Sequence, residues 1–215
     1  MIKAVIFDMD GIIVDSEPIE SLAWEKVLAE YGKKPIFNSW GLIHAPGAGT
    51  LIEVVERHGL DNQDIDIIRS KKRKYFEEIV LAGISPMPGL LQLLKRLKKE
   101  KIKVAVASGR NERHVRIIIH ELDFDRKFDE IIGFSEDVKR KPAPDAFLKA
   151  ANRLRIKPSM CVAIEDTENG VISAKTAGIK VIAVPNKWTA YQNFSKADKI
   201  VDSLSKISIS MLKGL

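Results

Sequence analysis

The sequence predicts an α/β fold, a doubly wound parallel sheet interrupted after its first strand by an all-helical insertion. Three observations carry this. Residues 2–7, 102–107, 161–164 and 180–184 are short Val- and Ile-rich apolar runs without alternation, the pattern of strands buried on both faces. Helical patterns lie between the later runs, and strands alternating with helices imply parallel pairing. From the end of the first run to about residue 81, only helical patterns occur.

Taken in order, the first run ends abruptly at Asp8. Residues 16–31 read as a helix opened by Ser16 and Pro18, and helical sequence continues to about residue 81. Small residues and prolines cluster near 15–16 and again at 83–88, where hinges are expected. The expected division is a catalytic core of 1–15 plus 85–215 and a helical cap of 16–84. Pro88 and Pro144 suit first helical turns and Gly178 suits a helix end. Residues 131–134 form a weaker fifth strand candidate.

The composition excludes several classes. With 45% hydrophobic and 30% charged residues among 215, the chain has the balance of a packed globular protein rather than a disordered one. No run approaches the ~20 apolar residues that span a bilayer, so neither a membrane segment nor a signal peptide is expected. The lone Cys161 lies in an apolar run and reads as a small buried hydrophobe, which points to a cytoplasmic location. A formal charge of +6 and a pI near 9.3 raise the question of nucleic acid. The layout answers against it: Lys95, Lys98 and Lys99 sit on the outer face of a helix whose inner face carries Leu90, Leu94 and Leu97. The basic runs also lack interleaved aromatics for base stacking. A mild positive field suits a small anionic substrate.

In an open parallel sheet, ligands lie beyond the carboxyl ends of the strands. The residues there are Asp8-Met9-Asp10-Gly11, Ser108-Gly109-Arg110 and Glu165-Asp166, with Lys139-Arg140-Lys141-Pro142 in a loop before a helix. Asp8 and Asp10, one residue apart at a strand end, point the same way while Met9 points oppositely. A carboxylate attacking a phosphate dianion meets like-charge repulsion, so it needs a cation, and all-oxygen ligands favour Mg2+. Glu165 and Asp166 supply further oxygens. The Ser108 hydroxyl, the following N–H groups at Gly109 and the Lys141 ammonium suit the transferring group's equatorial oxygens. Each residue has a plainer reading: a turn at Asp10-Gly11, a helix cap at Ser108, a solvated loop at Glu165-Asp166, a surface lysine at Lys141. Asp8 is the exception, since an acid directly after a buried strand is costly unless paired or functional. The joint arrival of all four segments at strand ends favours the functional reading.

These segments resemble the motifs of the haloacid dehalogenase superfamily, in its phosphatase and beta-phosphoglucomutase-like branch. Phe7-Asp8-Met9-Asp10-Gly11 is similar to the first motif, Ala107-Ser108-Gly109 to the second, Lys141-Pro142-Ala143-Pro144-Asp145 to the third, and Ile164-Glu165-Asp166-Thr167 with Gly170 to the fourth. The resemblance covers nearly the whole chain. It implies a Rossmann-like core, a helical cap and an aspartyl-phosphate intermediate. By that likeness Asp8 is the nucleophile and a magnesium ligand, and Asp10 is the general acid–base with a metal-binding backbone carbonyl. Asp166, with Glu165, completes the protein's share of the ion's shell, and Ser108 and Lys141 hold the phosphoryl group. The second carboxylate at Asp10 argues against carbon–halogen chemistry.

The resulting expectation is a Mg2+-dependent phosphatase acting on a small phosphorylated metabolite such as a sugar or polyol phosphate, working as a monomer. A sugar-phosphate mutase is the alternative. Against it, Glu20 stands where mutases of this branch carry histidine, and residues 43–49 lack their cap arginine. A non-catalytic phospho-acceptor is a third reading, disfavoured by the helical insertion. Substrate contacts are expected from Glu20, residues 42–50 and Lys71 in the cap and from Arg110 and Asn111 at the rim. Plainer roles exist for Lys71, on a solvated helix face, and for Asn111, as a helix cap.

Overall fold

The computed structural model of the chain describes residues 1–35, 51–61 and 64–215. It divides into two compact units, Met1–Val14 with Ser85–Leu215, and Asp15–Ile84.

The larger unit is a six-stranded parallel sheet flanked by helices. Its strands are β1 (Ala4–Phe7), β2 (Lys103–Asn111), β3 (Glu130–Phe134), β4 (Cys161–Glu165), β5 (Lys180–Ala183) and β6 (Lys199–Ile200), in the order β3-β2-β1-β4-β5-β6. β1 lies between β2 and β4, with Ala4 opposite both Lys103 and Cys161. All four β1 residues are buried, which is why they form an unbroken apolar run. The order of strands reverses direction at β1 and β4, and the carboxyl ends of strands at such a point are where open parallel sheets bind their ligands.

The helices of this unit are amphipathic and cover the sheet. The one at Leu90–Lys99 buries Leu90, Leu93, Leu94 and Leu97, a 3–4 spacing that keeps one stripe inward. The helix Asp145–Leu154 buries Ala146, Phe147, Ala150, Ala151 and Leu154 against Ala105, Ala107 and Ala163 of the strands. Alanine on both sides permits close approach of helix and sheet. Three further helices follow β2, β4 and β6: Glu112–Glu121, Glu168–Thr176 and Ile209–Lys213.

The helix signals act one or two residues from where the sequence puts them. Pro88 precedes the first turn rather than entering it, because Gly89, at φ 87°, supplies the left-handed cap residue. Pro144 is itself the N-cap of its helix. Gly178, at φ 75°, ends the helix before β5. β6 is absent from the sequence reading because both its residues are exposed and carry no apolar pattern. Cys161 is buried at the start of β4, and burial pushes its thiol up to about 11.

The smaller unit contains helices at Glu17–Glu30, Leu51–Arg57 and Ile65–Leu81, packed around Trp24, Val27, Val54, Val55 and Ile68. Pro18 sits in the first turn of the first of these, whereas the buried Ser16 makes no side-chain capping bond. Among the described residues no helix is long and apolar enough to cross a membrane.

Candidate active site

Asp8 follows β1 directly, and its N–H donates to the Ile164 carbonyl at 2.9 Å, so the neighbouring strand fixes where its side chain emerges. The carboxyl group is buried. Lys141 reaches it from the loop ahead of helix Asp145–Leu154, donating to Asp8 Oδ1, to Glu165 Oε1 at 2.5 Å and to the Ala107 carbonyl at 3.0 Å. The ammonium is therefore held at three corners, one just past β1, one in β2 and one at the end of β4.

Glu165 and Asp166 are buried rather than lying on a solvated loop. Glu165 Oε2 accepts from the N–H groups of Asp166 and Thr167 at 3.1 and 3.3 Å and from the Thr167 hydroxyl at 3.2 Å. Asp166 Oδ2 accepts from Asn186 Nδ2 at 2.8 Å. Asp10 is partly exposed, and its Oδ1 takes bonds from Arg110 Nη2 at 2.7 Å and Nε at 3.3 Å. Ser108 is buried within β2, three residues before the strand's last residue, its hydroxyl accepting from the Arg110 N–H at 3.0 Å. Above Gly109, among the described residues, nothing lies within 4 Å of where a Cβ would stand.

The structure thus brings Asp8, Asp10, Ser108, Arg110, Lys141, Glu165 and Asp166 to one end of the sheet. Asn111 is the N-cap of helix Glu112–Glu121, accepting from the Arg113 N–H at 3.0 Å. In the smaller unit, Glu20 is buried and paired with Lys72, and Lys71 bonds Glu30 at 2.5 Å. The cap segment 42–50 lies outside the described residues.

Two glycines make room for the carboxylates. Gly11 has φ 76°, and a Cβ there would stand 2.1 Å from Asp166 Oδ2. A Cβ at Gly170 would stand 1.9 Å from the Glu165 carboxylate. Because Gly170 is helical, alanine should otherwise favour the helix by about 1 kcal/mol. Gly170→Ala is instead expected to lower kcat by about tenfold or more, since Glu165 must leave the Lys141 and Thr167 bonds that fix it. Steady-state kinetics together with a melting curve check this; an active, stabilised variant would refute the crowding argument.

Sequence reasoning missed Asn186 and named Thr167 only as part of the fourth motif, without a role. Asn186 stands three residues past the end of β5, and applying the strand-end rule to that strand would have found it. Thr167 had a signal too: its hydroxyl caps the helix Glu168–Thr176 through the Gly170 N–H at 3.1 Å.

Charge dominates the site. Burial, with Lys141 opposing it and Glu165 and Asp10 adding to it, raises the Asp8 pKa to about 8. Burial likewise raises Asp166, with Asp8, Glu165 and Asp10 contributing. Burial works against the Lys141 ammonium, yet Asp8 and Glu165 outweigh it and hold its pKa above the ordinary lysine range. Four carboxylates face two cations, Lys141 and Arg110, leaving two formal negative charges over. Oxygens of Asp8, Glu165 and Asp166 lie within 4.8 Å of one another. A hard divalent cation fits both the oxygen-only donor set and the charge deficit.

Residues 2–178 match the haloacid dehalogenase-like hydrolase family. The chain belongs to the haloacid dehalogenase-like hydrolases. Within that family it is 33% identical over 186 residues to the phosphorylated carbohydrates phosphatase of Thermotoga maritima, covering 84% of this chain and 83% of that one. It is 30% identical over 220 residues to the beta-phosphoglucomutase of Bacillus subtilis, covering 98% and 93%. Among solved structures, CbbY of Rhodobacter sphaeroides in complex with phosphate superposes with a TM-score of 0.86 at 26% identity, covering 99% of this chain and all of that one. The hydrolase fold and the phosphatase and beta-phosphoglucomutase-like branch, expected from the motifs, are thereby shown, and the chain is a phosphatase-family enzyme.

Proposed function

We propose that the chain is a Mg2+-dependent phosphatase of small organic phosphomonoesters, sugar or polyol phosphates first among them, working through an aspartyl phosphate. The observation that carries this is the buried cluster of Asp8, Glu165 and Asp166 with Lys141 bonded to two of its members. Asp8, Glu165, Asp166 and the Asp10 backbone carbonyl would hold the ion, which screens the substrate's charge from the attacking carboxylate.

Asp8 attacks phosphorus as the bond to the leaving oxygen breaks, and Asp10 gives that oxygen its proton. Asp10 then takes a proton from water, which attacks the same phosphorus and releases inorganic phosphate and the Asp8 carboxylate. Lys141 and Ser108, with the N–H groups after Ser108, hold the equatorial oxygens throughout. Arg110, which bonds Asp10, meets the leaving group's side of the reaction. The unit of residues 15–84 serves as the cap, with Glu20 and Lys71 among its contributors to specificity, and the enzyme acts as a monomer.

The test is a panel of para-nitrophenyl phosphate, fructose 1-phosphate, glycerol 3-phosphate and beta-glucose 1-phosphate, each with Mg2+ or EDTA. Phosphate release confined to the Mg2+ samples is expected. Conversion of beta-glucose 1-phosphate to glucose 6-phosphate faster than phosphate release would replace hydrolysis by mutase chemistry, as the 30% identical beta-phosphoglucomutase would suggest.

A pH dependence follows from the same carboxylates. Between the ordinary Asp range and about pH 8 the folded Asp8 keeps a proton that the unfolded chain has lost, so stability of the metal-free protein falls as pH rises through that window. One such proton is worth about 1.4 kcal/mol per pH unit, or about 2–4 °C in Tm for a chain of this size. Melting in EDTA should therefore drop between pH 5 and 8, and the stabilisation by Mg2+ should grow over the same interval. A flat Tm in EDTA would contradict the assignment.

A further inference from the structure

At the opposite end of β2 from Ser108 lies a second concavity, a cavity of about 450 Å³. Six cationic side chains line it: Lys95 and Lys98 from the helix Leu90–Lys99, Lys101 and Lys103 at the entry to β2, and Arg126 and Lys127 ahead of β3. Leu94, Ile102, Val104 and Phe128 form its floor, each all but buried. The four steps along the strand from Val104 to Ser108 put this floor about 13 Å from Ser108.

The cations are poorly balanced. Among the described residues, Asp129 is the one acid of the lining, and its Oδ2 is already engaged by the Val104 N–H at 2.8 Å. Lys127 is turned aside, bonding the Asp123 carbonyl and lying over the Phe124 ring. Lys95, Lys98, Lys101, Lys103 and Arg126 form no salt bridge among the described residues. Five like charges around an apolar floor repel one another and focus a positive potential into the concavity. Lys95 and Lys98 are exposed, as Lys99 is, but they line the concavity together with Lys101, Lys103 and Arg126, whereas Lys99 does not. A volume of this size is that of a small-molecule site with an apolar base and polar walls, whereas a nucleic-acid track is an extended groove with stacking surfaces.

We propose that this cavity binds a small organic polyphosphate, an apolar or aromatic body carrying two or more phosphate groups, of which a nucleoside triphosphate is the representative probe. The body rests on Leu94, Ile102 and Val104, and the phosphates meet Lys98, Lys103 and Arg126. The site is separate from the catalytic crevice and does not depend on the reaction assigned there.

The experiment is calorimetric titration of the full chain with ATP in EDTA at low salt. Saturable binding with Kd of about 10–100 µM is expected. The double variant Lys98→Glu/Lys103→Glu, altered at two exposed positions, should weaken it about tenfold or more while keeping Tm and phosphate release. Asp8→Asn should leave it unchanged. Adenosine should not bind, and tripolyphosphate should bind more weakly than ATP. The proposal is overturned if ATP fails to saturate by about 5 mM, if Asp8→Asn abolishes binding while the double variant does not, if tripolyphosphate matches ATP, or if duplex DNA binds more tightly per phosphate than ATP.

Discussion

Asp8→Asn is expected to lower kcat by about 10³-fold or more, because asparagine keeps the shape and the acceptor oxygen but cannot form an acyl phosphate. The same change should leave the metal-free fold intact. Burial already disfavours the Asp8 charge, and Lys141 retains Glu165 and the Ala107 carbonyl as partners. Melting in EDTA at pH 8 should therefore be no lower than for the unaltered chain. The Tm rise on adding Mg2+ should shrink, since one of three clustered carboxylates is gone. Full turnover in the variant would remove Asp8 as nucleophile and with it the proposed chemistry.

The second large effect is on stability. Lys141 is nearly buried and its ammonium joins two carboxylates of similar burial. Lys141→Met keeps the aliphatic stem that passes over the Phe147 ring but removes the charge. Breaking a buried pair by deleting one partner costs about 3–5 kcal/mol, here the more so because Asp166 stands beside the two abandoned carboxylates. A fall of several degrees in Tm at pH 8 is expected, partly recovered at pH 5, where the carboxylates can protonate. Added Mg2+ should recover part of it as well, since the ion supplies positive charge to the same oxygens. Phosphate release should fall by at least about a hundredfold, because Lys141 is the loop cation bonded to Asp8 and Glu165, where the transferring group's charge is to be met. A variant as stable as the parent across this pH range would show that Lys141 is not what balances the cluster.

The sheet was legible in the sequence because burial on both faces leaves a plain mark. Val5, Ile6, Val104, Val106, Val162, Ile164, Val181 and Ile182 are all buried, and each falls in a run read as a strand. β6 left no mark because neither of its residues contributes to the core. The residues at the strand ends were legible for the same reason: a buried acid is costly, so Asp8 announces a purpose. What sequence could not supply was pairing. That Arg110 meets Asp10, that Asn186 meets Asp166 and that Lys141 bonds both Asp8 and Glu165 depends on loops from strands far apart in the chain. Nor could helical periodicity show that Lys95 and Lys98 share a hollow with Arg126, since periodicity tells a face's direction but not what stands opposite.

The central place of β1 has a consequence for how the protein comes to be folded. Its partners in the sheet begin at Lys103 and Cys161, roughly a hundred and a hundred and sixty positions further on, and closing loops of that size precedes any reward from the contacts. The strand that leads into Asp8 therefore gains both neighbours only when β4 is in place. Assembly should be slow compared with helical domains of equal length, and a chain cut before Cys161 should expose one edge of β1 and aggregate along it.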